Sequence, residues 1–554
     1  MRSSQTAIRP QRGRRADLMG QTLTWLCGGA LALNMLLVLA LLVLLAVNGL
    51  SYFWQRPLVL LRLRDGSRLL GEVREREAIP GLLREDGEPA SRIQLKVGNR
   101  ELTGADFVWI DEHEIAEQTY PDAAAVLERL EWGNFYGYPV ELRSGNDVIA
   151  TGPQALWPTL GRLHREKREQ WDAIHALEAG EIDDVNNKLE QLRLAARRLA
   201  LRDLPEVQRE RQKAALDRRR EKEEAIYGEL ARRLFEMRER LLAEQLVMDA
   251  ADGSRATIPL GNIVRVLRPN RMGTLESAGL YVSHIWEFIA GDPRESNTEG
   301  GTFPALFGTV MMVFIMSFAA TPLGILAALY LREYAKQGAL VRIVRIAVNN
   351  LAGVPSIVFG VFGLGFFVYL IGGTIDRLFY PEALPTPTYG TGGILWASLT
   401  LALLTVPVVI VATEEGLAAI PRSIREGSLA LGATKIETVL RVVIPACAPA
   451  ILTGMILAMA RAAGEVAPLM IVGMVKLAPA LPVDLRFPFV HLERKFMHLG
   501  FHIYDVGFQS PNVDATTPLV FATALLLVAV VTVMNLTAIF IRNYLRRRYA
   551  SSPF

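Results

Sequence analysis

Residues 414–445 read EEGLAAIPRSIREGSLALGATKIETVLRVVIP, and long apolar runs flank this stretch on both sides. Gly432 interrupts one helical segment, and Thr434 with Glu437 forms a capping box that starts another. Pro445 marks the entry into the next apolar run. The stretch is therefore predicted to contain a short amphipathic helix at a membrane surface, a shape suited to docking a partner protein. Its apolar face is formed by Ile436, Val439, Leu440 and Val443.

The spacing inside this stretch resembles the EAA loop of ABC-importer permeases. Glu426-Gly427-Ser428 takes the place of E-A-A, Gly432 follows, and Val442-x-Ile444-Pro445 ends the pattern. Gly427 and Ser428 depart from the two alanines of the family, but they are small enough for close packing. The resemblance implies a cytoplasmic loop that docks into an ATPase subunit; the alternative is an ordinary amphipathic connector. The implied coupling residues are Glu426, Gly427, Ser428, Gly432, Ala433, Thr434, Glu437 and Pro445.

The composition divides the chain into a charged half and an apolar half. Of 554 residues, 51% are hydrophobic and 21% are charged, and the net charge is only +3. So small a charge does not indicate nucleic-acid binding. The cysteines, Cys27 and Cys447, have no partner nearby in the sequence, so a disulfide framework is not expected.

The first apolar run indicates a membrane anchor. Residues 1–22 are rich in arginine and are predicted to be a cytoplasmic N-terminus. Residues 23–50 form an apolar run that is too long for the core of a signal peptide and long enough to span a bilayer. We expect an uncleaved transmembrane signal anchor.

Residues 51–297 are predicted to be a soluble α+β insert with β-rich flanks. Two DGSR turns, at 65–68 and 252–255, are interpreted as paired hairpins of one small β domain. Between them, about residues 158–248 show coiled-coil spacing and a break at 202–205, which predicts a long helical hairpin. The alternative is two charged helices folded back on the β domain.

Further apolar runs bring the predicted number of transmembrane helices to six. Basic residues cluster in the loops on the side of the N-terminus and in the tail 546–554, so the positive-inside rule is satisfied. The prediction is a mainly α, multi-pass protein of the bacterial inner membrane, with both termini cytoplasmic and the insert periplasmic. The further runs are 304–331, 350–372, 393–412, 448–475 and 517–541.

Charged residues inside one of these runs indicate a site. Arg461 is placed near the middle of the bilayer, and Glu465 follows at i+4 on the same helical face. An unpaired arginine near the bilayer centre raises the free energy of membrane insertion by about 3 kcal/mol. The Glu465 carboxylate can offset this charge. Either the pair joins helices structurally, or Arg461 binds an anion in the translocation path. Ser356 is assigned to the candidate pathway only by its position and polarity. The alternative is that its hydroxyl caps a helix or takes part in packing.

The same run resembles the PstA-type phosphate-importer permease over residues 298–545, a core of five helices. The resemblance implies phosphate transport, a PstC-like second permease, two PstB-like ATPase subunits and a PstS-like periplasmic phosphate-binding protein. It also links Arg461 to phosphate passage, while Val466 departs from the threonine common there. The matching segments are Gly300-Gly301-x-Phe303-Pro304, Pro322-Leu323-Gly324-Ile325, Tyr330-Leu331-Arg332-Glu333-Tyr334-Ala335, Gly353-Val354-Pro355-Ser356-Ile357-Val358-Phe359-Gly360 and Ala460-Arg461-Ala462-Ala463-Gly464-Glu465-x-Ala467-Pro468-Leu469.

The remaining motifs predict a transport subunit without catalytic residues, metal or cofactor. The sequence contains no P-loop, so ATP hydrolysis is expected on partner subunits. The loop histidines and their neighbour are interpreted as solvated residues in preference to a zinc site: His491, Glu493, His498 and His502. Two other functions stay open. One is a permease for another oxyanion (phosphonate, molybdate or sulfate), and the other is a membrane sensor or scaffold that works through the insert.

Overall fold

The computed structural model describes residues 12–83, 89–510 and 513–550. Within these ranges six helices are long and apolar enough to cross a membrane, which confirms the predicted fold class. Parts of the predicted N-terminus (1–11) and tail (551–554) lie outside the described residues. The six helical segments are Thr22–Ser51, Phe303–Tyr334, Ser356–Phe379, Ile394–Ala419, Lys435–Gly464 and Thr516–Tyr544.

The first half of the insert forms a five-stranded antiparallel sheet after the first helix. That helix, α1, spans Arg12–Ser51, and a short helix α2 (Arg100–Thr103) interrupts the strands. The strand order is β4-β3-β2-β1-β5. Leu61, Ile93 and Leu95 pack together in its core. The strands are β1 (Val59–Leu63), β2 (Arg68–Leu83), β3 (Pro89–Lys96), β4 (Phe107–Asp111) and β5 (Ile115–Thr119).

A second, six-stranded sheet combines strands from both sides of the helical hairpin. Its order is β10-β9-β7-β6-β11, with β8 paired to β7. Strands before and after the hairpin therefore pair in one sheet. The strands are β6 (Ala125–Arg129), β7 (Phe135–Ser144), β8 (Asp147–Thr151), β9 (Glu244–Asp249), β10 (Arg255–Pro259) and β11 (Ile263–Leu267).

The two DGSR turns are alike locally but belong to different sheets. In the first, Asp65 Oδ1 accepts hydrogen bonds from the backbone N and the hydroxyl of Ser67, and the second repeats this with Asp252 and Ser254. The first turn joins β1 to β2 and the second joins β9 to β10. The prediction that the hairpins pair is therefore wrong, because a turn sequence determines only its own hairpin and not the strand beside it.

The hairpin consists of α3 (Gly152–Leu177), α4 (Asp183–Leu201) and α5 (Glu206–Leu242), with a π-helical turn at Glu178–Ile182. The predicted range, about 158–248, begins and ends later than the observed helices, which run from Gly152 to Leu242. Residues 244–249 form β9 because Leu246, Val247 and Met248 are buried and the strand pairs with β10 on one side and β7 on the other. The predicted break at 202–205 lies between α4 and α5.

The hairpin contacts two loops of the membrane core. We define the membrane core as residues 303–550. Arg486 forms ion pairs of 2.5 Å with both Asp183 and Asp184 near the start of α4. Arg198, near the end of α4, pairs with Glu382 at 2.6 Å. The two contacted loops mark the side of the core that faces the insert, called the insert side below.

The membrane core follows α6 (Thr274–Ala290) and a short hairpin of β12 (Pro293–Arg294) and β13 (Glu299–Gly300). Its central helices pack through Met312, Leu401 and Met459. The helices are α7 (Phe303–Leu329), α8 (Ala339–Leu351), α9 (Ser356–Phe362), α10 (Gly373–Phe379), α11 (Ile394–Ala419), α12 (Arg422–Ala430), α13 (Lys435–Thr438), α14 (Ile444–Gly464), α15 (Ala467–Val472), α16 (Leu499–Tyr504) and α17 (Val513–Ala550).

Two predicted spans have the wrong limits. The third begins at Ser356 instead of 350, because residues up to Leu351 belong to α8 and Pro355 is extended. The fifth span starts at Lys435 and ends at Gly464, not at 448 and 475. Pro445 does not separate two helices, since it lies in the first turn of α14, directly after a π-helical turn at Val439–Val443.

Candidate functional site

The EAA-like loop folds into α12, a glycine turn and α13. Thr434 Oγ1 accepts from the backbone N of Glu437 at 3.3 Å, and the Glu437 carboxylate accepts from the backbone N of Thr434 at 2.9 Å. Gly432 has φ +87°, a backbone conformation that glycine adopts without steric cost. Ser428 and Thr438 share a hydroxyl hydrogen bond of 2.9 Å, which fastens α12 to α13.

A second set of contacts holds this loop against the segment that follows α7. Arg425 pairs with Glu333 at 3.0 Å and donates to the carbonyl oxygens of Leu417 and Ile420 at 2.7 and 2.8 Å. Lys435 Nζ donates to the Glu333 carbonyl at 2.5 Å. The loop is thus fixed to two different helices of the core, so a displacement of the loop would be transmitted to both.

The predicted apolar face is divided by the fold. Val439 and Val443 are 5% and 0% exposed and belong to the packed core, whereas Ile436 and Leu440 are 60% and 59% exposed. Glu426 and Gly427 are exposed on α12. The exposed half presents apolar side chains beside polar ones.

Arg461 and Glu465 lie where the fifth spanning helix ends. Glu465 is extended (φ −82°, ψ 124°), so the prediction that both residues share a helical face is wrong. They still form an ion pair, with Arg461 Nε 3.5 Å from Glu465 Oε1. The Arg461 side chain is 34% exposed, so its remaining donors are accessible. The last turn of α14 also favours a cation, because its carbonyl groups carry partial negative charge.

The chain resumes in α15, which makes this span a broken helix. The far end of α15 contacts the start of α11, since a Cβ on Gly392 would clash with the carbonyl oxygen of Val472. Irregular backbone is tolerated inside a membrane only where protein or a water-filled cavity surrounds it. The break separates Arg461, in the last turn of α14, from α15.

Ser356 begins α9, the helix that packs on α15. Gly360, one turn further along α9, lies against α15 so closely that an added Cβ would be 2.7 Å from Pro468 Cα. Ser356 is half-buried and follows the extended Pro355. The structure thus places Ser356 on the helix beside the break, with no hydrogen bond to Arg461 or Glu465 among the described residues.

The interpretation of the histidines as solvated is wrong for His498 and His502. Both are buried, and burial lowers the pKa of each to about 4, with Lys476 adding to the effect at His502. His491 is half-buried and lies 3.0 Å from Asp484 and 3.2 Å from Glu493. Within the described ranges no group of three or more potential ligands could hold a metal ion.

Sequence reasoning missed the backbone contact that docks α16 on α7. The Thr309 hydroxyl accepts from the backbone N of Leu499 at 2.9 Å and donates to the Ala305 carbonyl at 2.7 Å. It also missed the helix break, although Gly464 followed by Pro468 was a signal for it.

A family model and several known proteins match parts of this chain. A family model described as "Binding-protein-dependent transport system inner membrane component" matches residues 320–551. The "Probable ABC transporter permease protein YqgH" of Bacillus subtilis is 30% identical over 47% of this chain and 79% of its own length. The "Phosphate transport system permease protein PstA 1" of Mycobacterium tuberculosis is 37% identical over 31% of this chain and 51% of its own length.

Among solved structures, the inward-facing MetNI methionine ABC transporter matches 44% of this chain and 94% of its own, at 19% identity and a TM-score of 0.32. For PstA 1 the chain spans about half the length of the relative.

Proposed function

Because the chain belongs to the family of binding-protein-dependent transport system inner membrane components, we propose that it is the permease subunit of an ATP-driven phosphate importer. It would form half of the transmembrane pathway together with a PstC-like permease. Two PstB-like ATPases would drive it, and a PstS-like protein would deliver phosphate. The motifs shared with PstA-type permeases and the likeness to PstA 1 support phosphate as the substrate.

One observation carries this proposal: the docking surface and Arg461 lie on one continuous helical segment. Residues Lys435–Gly464 form a single span, with exposed Ile436 and Leu440 at one end and Arg461 in its last turn. A rigid helix transmits a displacement along its length. ATPase movement at the EAA-like loop would therefore shift Arg461 and switch the pore between outward and inward access.

Arg461 would bind phosphate because guanidinium donors match two oxyanion oxygens at once. Glu465 would compete with phosphate for Arg461, since its carboxylate pairs with the arginine when no phosphate is bound. The orientation proposed with this mechanism has both termini in the cytoplasm and the insert in the periplasm. The basic residues of the EAA-like loop and of the C-terminal tail support it.

Arg461→Ala tests the site. We expect phosphate uptake in liposomes that contain the whole complex to fall about 10- to 100-fold, because charged hydrogen bonds contribute about 1.5–3 kcal/mol. Co-purification with the ATPase should be unchanged. Arg461→Lys keeps the charge but loses the bidentate geometry, so it should recover uptake only in part.

Normal uptake by Arg461→Ala would remove Arg461 from the pathway. Competition by phosphonate, molybdate and sulfate in the same assay identifies the anion. Stronger competition by one of these than by phosphate itself would assign the permease to another oxyanion.

A further inference from the structure

A cavity of about 750 Å³ lies at the junction between the insert and the membrane core. On the membrane side it is lined by Asn48, Ser51 and Tyr52 around the end of α1 and by residues 516–519 and 521 near the start of α17. These two helices approach closely, since a Cβ on Gly49 would lie 3.0 Å from the Phe521 carbonyl oxygen. The cavity therefore sits at the ends of two spanning helices, at the level of lipid head groups on the insert side.

Cationic side chains in this cavity have donors that the protein does not use. Arg56 Nη1 donates to the carbonyl oxygens of Val73 and Arg74 at 2.6 and 2.7 Å, which leaves other donors of its guanidinium for a ligand. Arg74 pairs with Glu72 at 2.8 Å, but its buried Nε has no hydrogen-bond partner among the described residues. Lys96 forms no ion pair with another described residue. A buried donor without an acceptor is unfavourable, so the Nε of Arg74 favours an anion beside it.

Two carboxylates in the same cavity lie close together. A Cβ on Gly133 would lie 3.6 Å from Glu299 Oε1 and 3.8 Å from Glu295 Oε2, so the two groups converge. Neither forms an ion pair with a residue that the structure describes. Burial raises the pKa of Glu299 to about 7, against the opposing effect of Lys96. A cationic ligand group beside these carboxylates would offset their repulsion and the cost of their burial.

We propose that this cavity binds the head group of a zwitterionic phospholipid. The phosphate would contact Arg56, Arg74 and Lys96, and the amine would contact Glu295 and Glu299. The mixed lining, with five basic and four acidic side chains, suits a ligand of both charges better than a simple anion. The acyl chains would continue along α1, whose side chains Leu44 and Val47 are exposed. This inference does not depend on what the permease transports.

Lipid retention on the purified full chain tests the proposal. The chain is exchanged into phosphatidylethanolamine or phosphatidylglycerol, and bound lipid is counted by native mass spectrometry. Arg56→Gln and Lys96→Gln should each retain about tenfold less phosphatidylethanolamine, as expected for a lost charged hydrogen bond. Lys96→Arg should retain it. The matched control Arg255→Gln, on a strand away from the cavity, should behave like the unaltered chain.

Glu299→Gln separates the two halves of the head group. It should lower retention of phosphatidylethanolamine and leave that of phosphatidylglycerol unchanged, since only the former carries an amine. Thermal unfolding of each variant shows whether it is folded. Retention of phosphatidylethanolamine by folded Arg56→Gln and Lys96→Gln variants at the level of the unaltered chain would overturn the proposal.

Inorganic phosphate is the second probe. Equilibrium dialysis of lipid-stripped protein with radiolabelled phosphate measures whether the same residues hold a free anion. Phosphate binding that Lys96→Gln abolishes, without lipid retention in the first assay, would overturn the lipid assignment in favour of a free-phosphate site. Weak phosphate binding with strong, variant-sensitive lipid retention supports the phospholipid.

Discussion

At the scale of single residues, Arg461 shows how sequence position and backbone geometry together determine an ion pair. The arginine and its partner were visible in the sequence, but their expected geometry was a continuous helix. The helix instead ends at Gly464, and the carboxylate of Glu465 reaches back from an extended residue.

Glu299 is the residue whose ionisation should be visible in stability. Its pKa rises from the ordinary 4.5 to about 7, mainly through burial. The folded state therefore holds the proton more tightly than the unfolded state. The resulting stability is fully present below pH 4.5 and is lost as the pH rises through about 7. The charged groups around it are Lys96, Arg294, Glu295 and Glu128.

We expect Glu299→Gln to stabilise lipid-stripped protein at pH 8 by on the order of 1–2 kcal/mol, because the variant has no buried carboxylate to ionise. At pH 4 the difference should vanish. Thermal unfolding followed by tryptophan fluorescence at both pH values measures it. Glu229→Gln on the exposed hairpin is the matched control and should change neither value. An equal shift at both pH values would contradict the ionisation argument.

At the scale of elements, the EAA-like loop is a helix start, a glycine turn and an apolar stripe of which only half is buried. The capping box formed as predicted because both its residues are adjacent in the chain and need no distant partner. The burial of Val439 and Val443 depends on Ile410, Leu417 and other residues of the core. No local pattern contains that information.

Replacing the exposed half of the stripe tests the docking surface. We expect Ile436→Asp with Leu440→Asp to reduce co-purification of the ATPase about tenfold or more, because a charge would be placed in an apolar contact. The fold should persist, since both side chains are exposed. The measurement is the amount of ATPase retained by the tagged permease.

Val207→Asp on the helical hairpin is the matched control, since this residue is exposed to a similar degree. It should leave ATPase retention unchanged. Full retention by the double variant at the EAA-like loop would show that the ATPase binds elsewhere.

At the scale of the whole molecule, the helical hairpin bridges two insert-side loops. Its contacts through Arg486 and Arg198 join the loop before α11 to the loop before α16. The structure also determines where the hairpin can be removed. A deletion that reached residue 248 would remove β9, which lies between β10 and β7 in the second sheet.

A shorter deletion, with residues 179–228 replaced by a Gly-Ser linker, keeps Leu177 packed near Leu230. We expect assembly to be unchanged and phosphate uptake to stay within about tenfold of the intact chain, because exposed ion pairs contribute only about 0.2–1 kcal/mol each. Uptake and co-purification are measured in parallel, with Arg486→Ala as a control that removes one contact point. Normal uptake with loss of a phosphate-dependent cellular response would favour the scaffold alternative.

The sequence by itself determined the membrane class, the six apolar helices and the capped helix of the EAA-like loop. These features depend on runs of adjacent residues, whose hydropathy and capping chemistry act locally. Only the tertiary structure decided that residues 244–249 are a strand and that His498 and His502 are buried. Each of those outcomes depends on partners far away in the chain, and their packing outweighs the local preference.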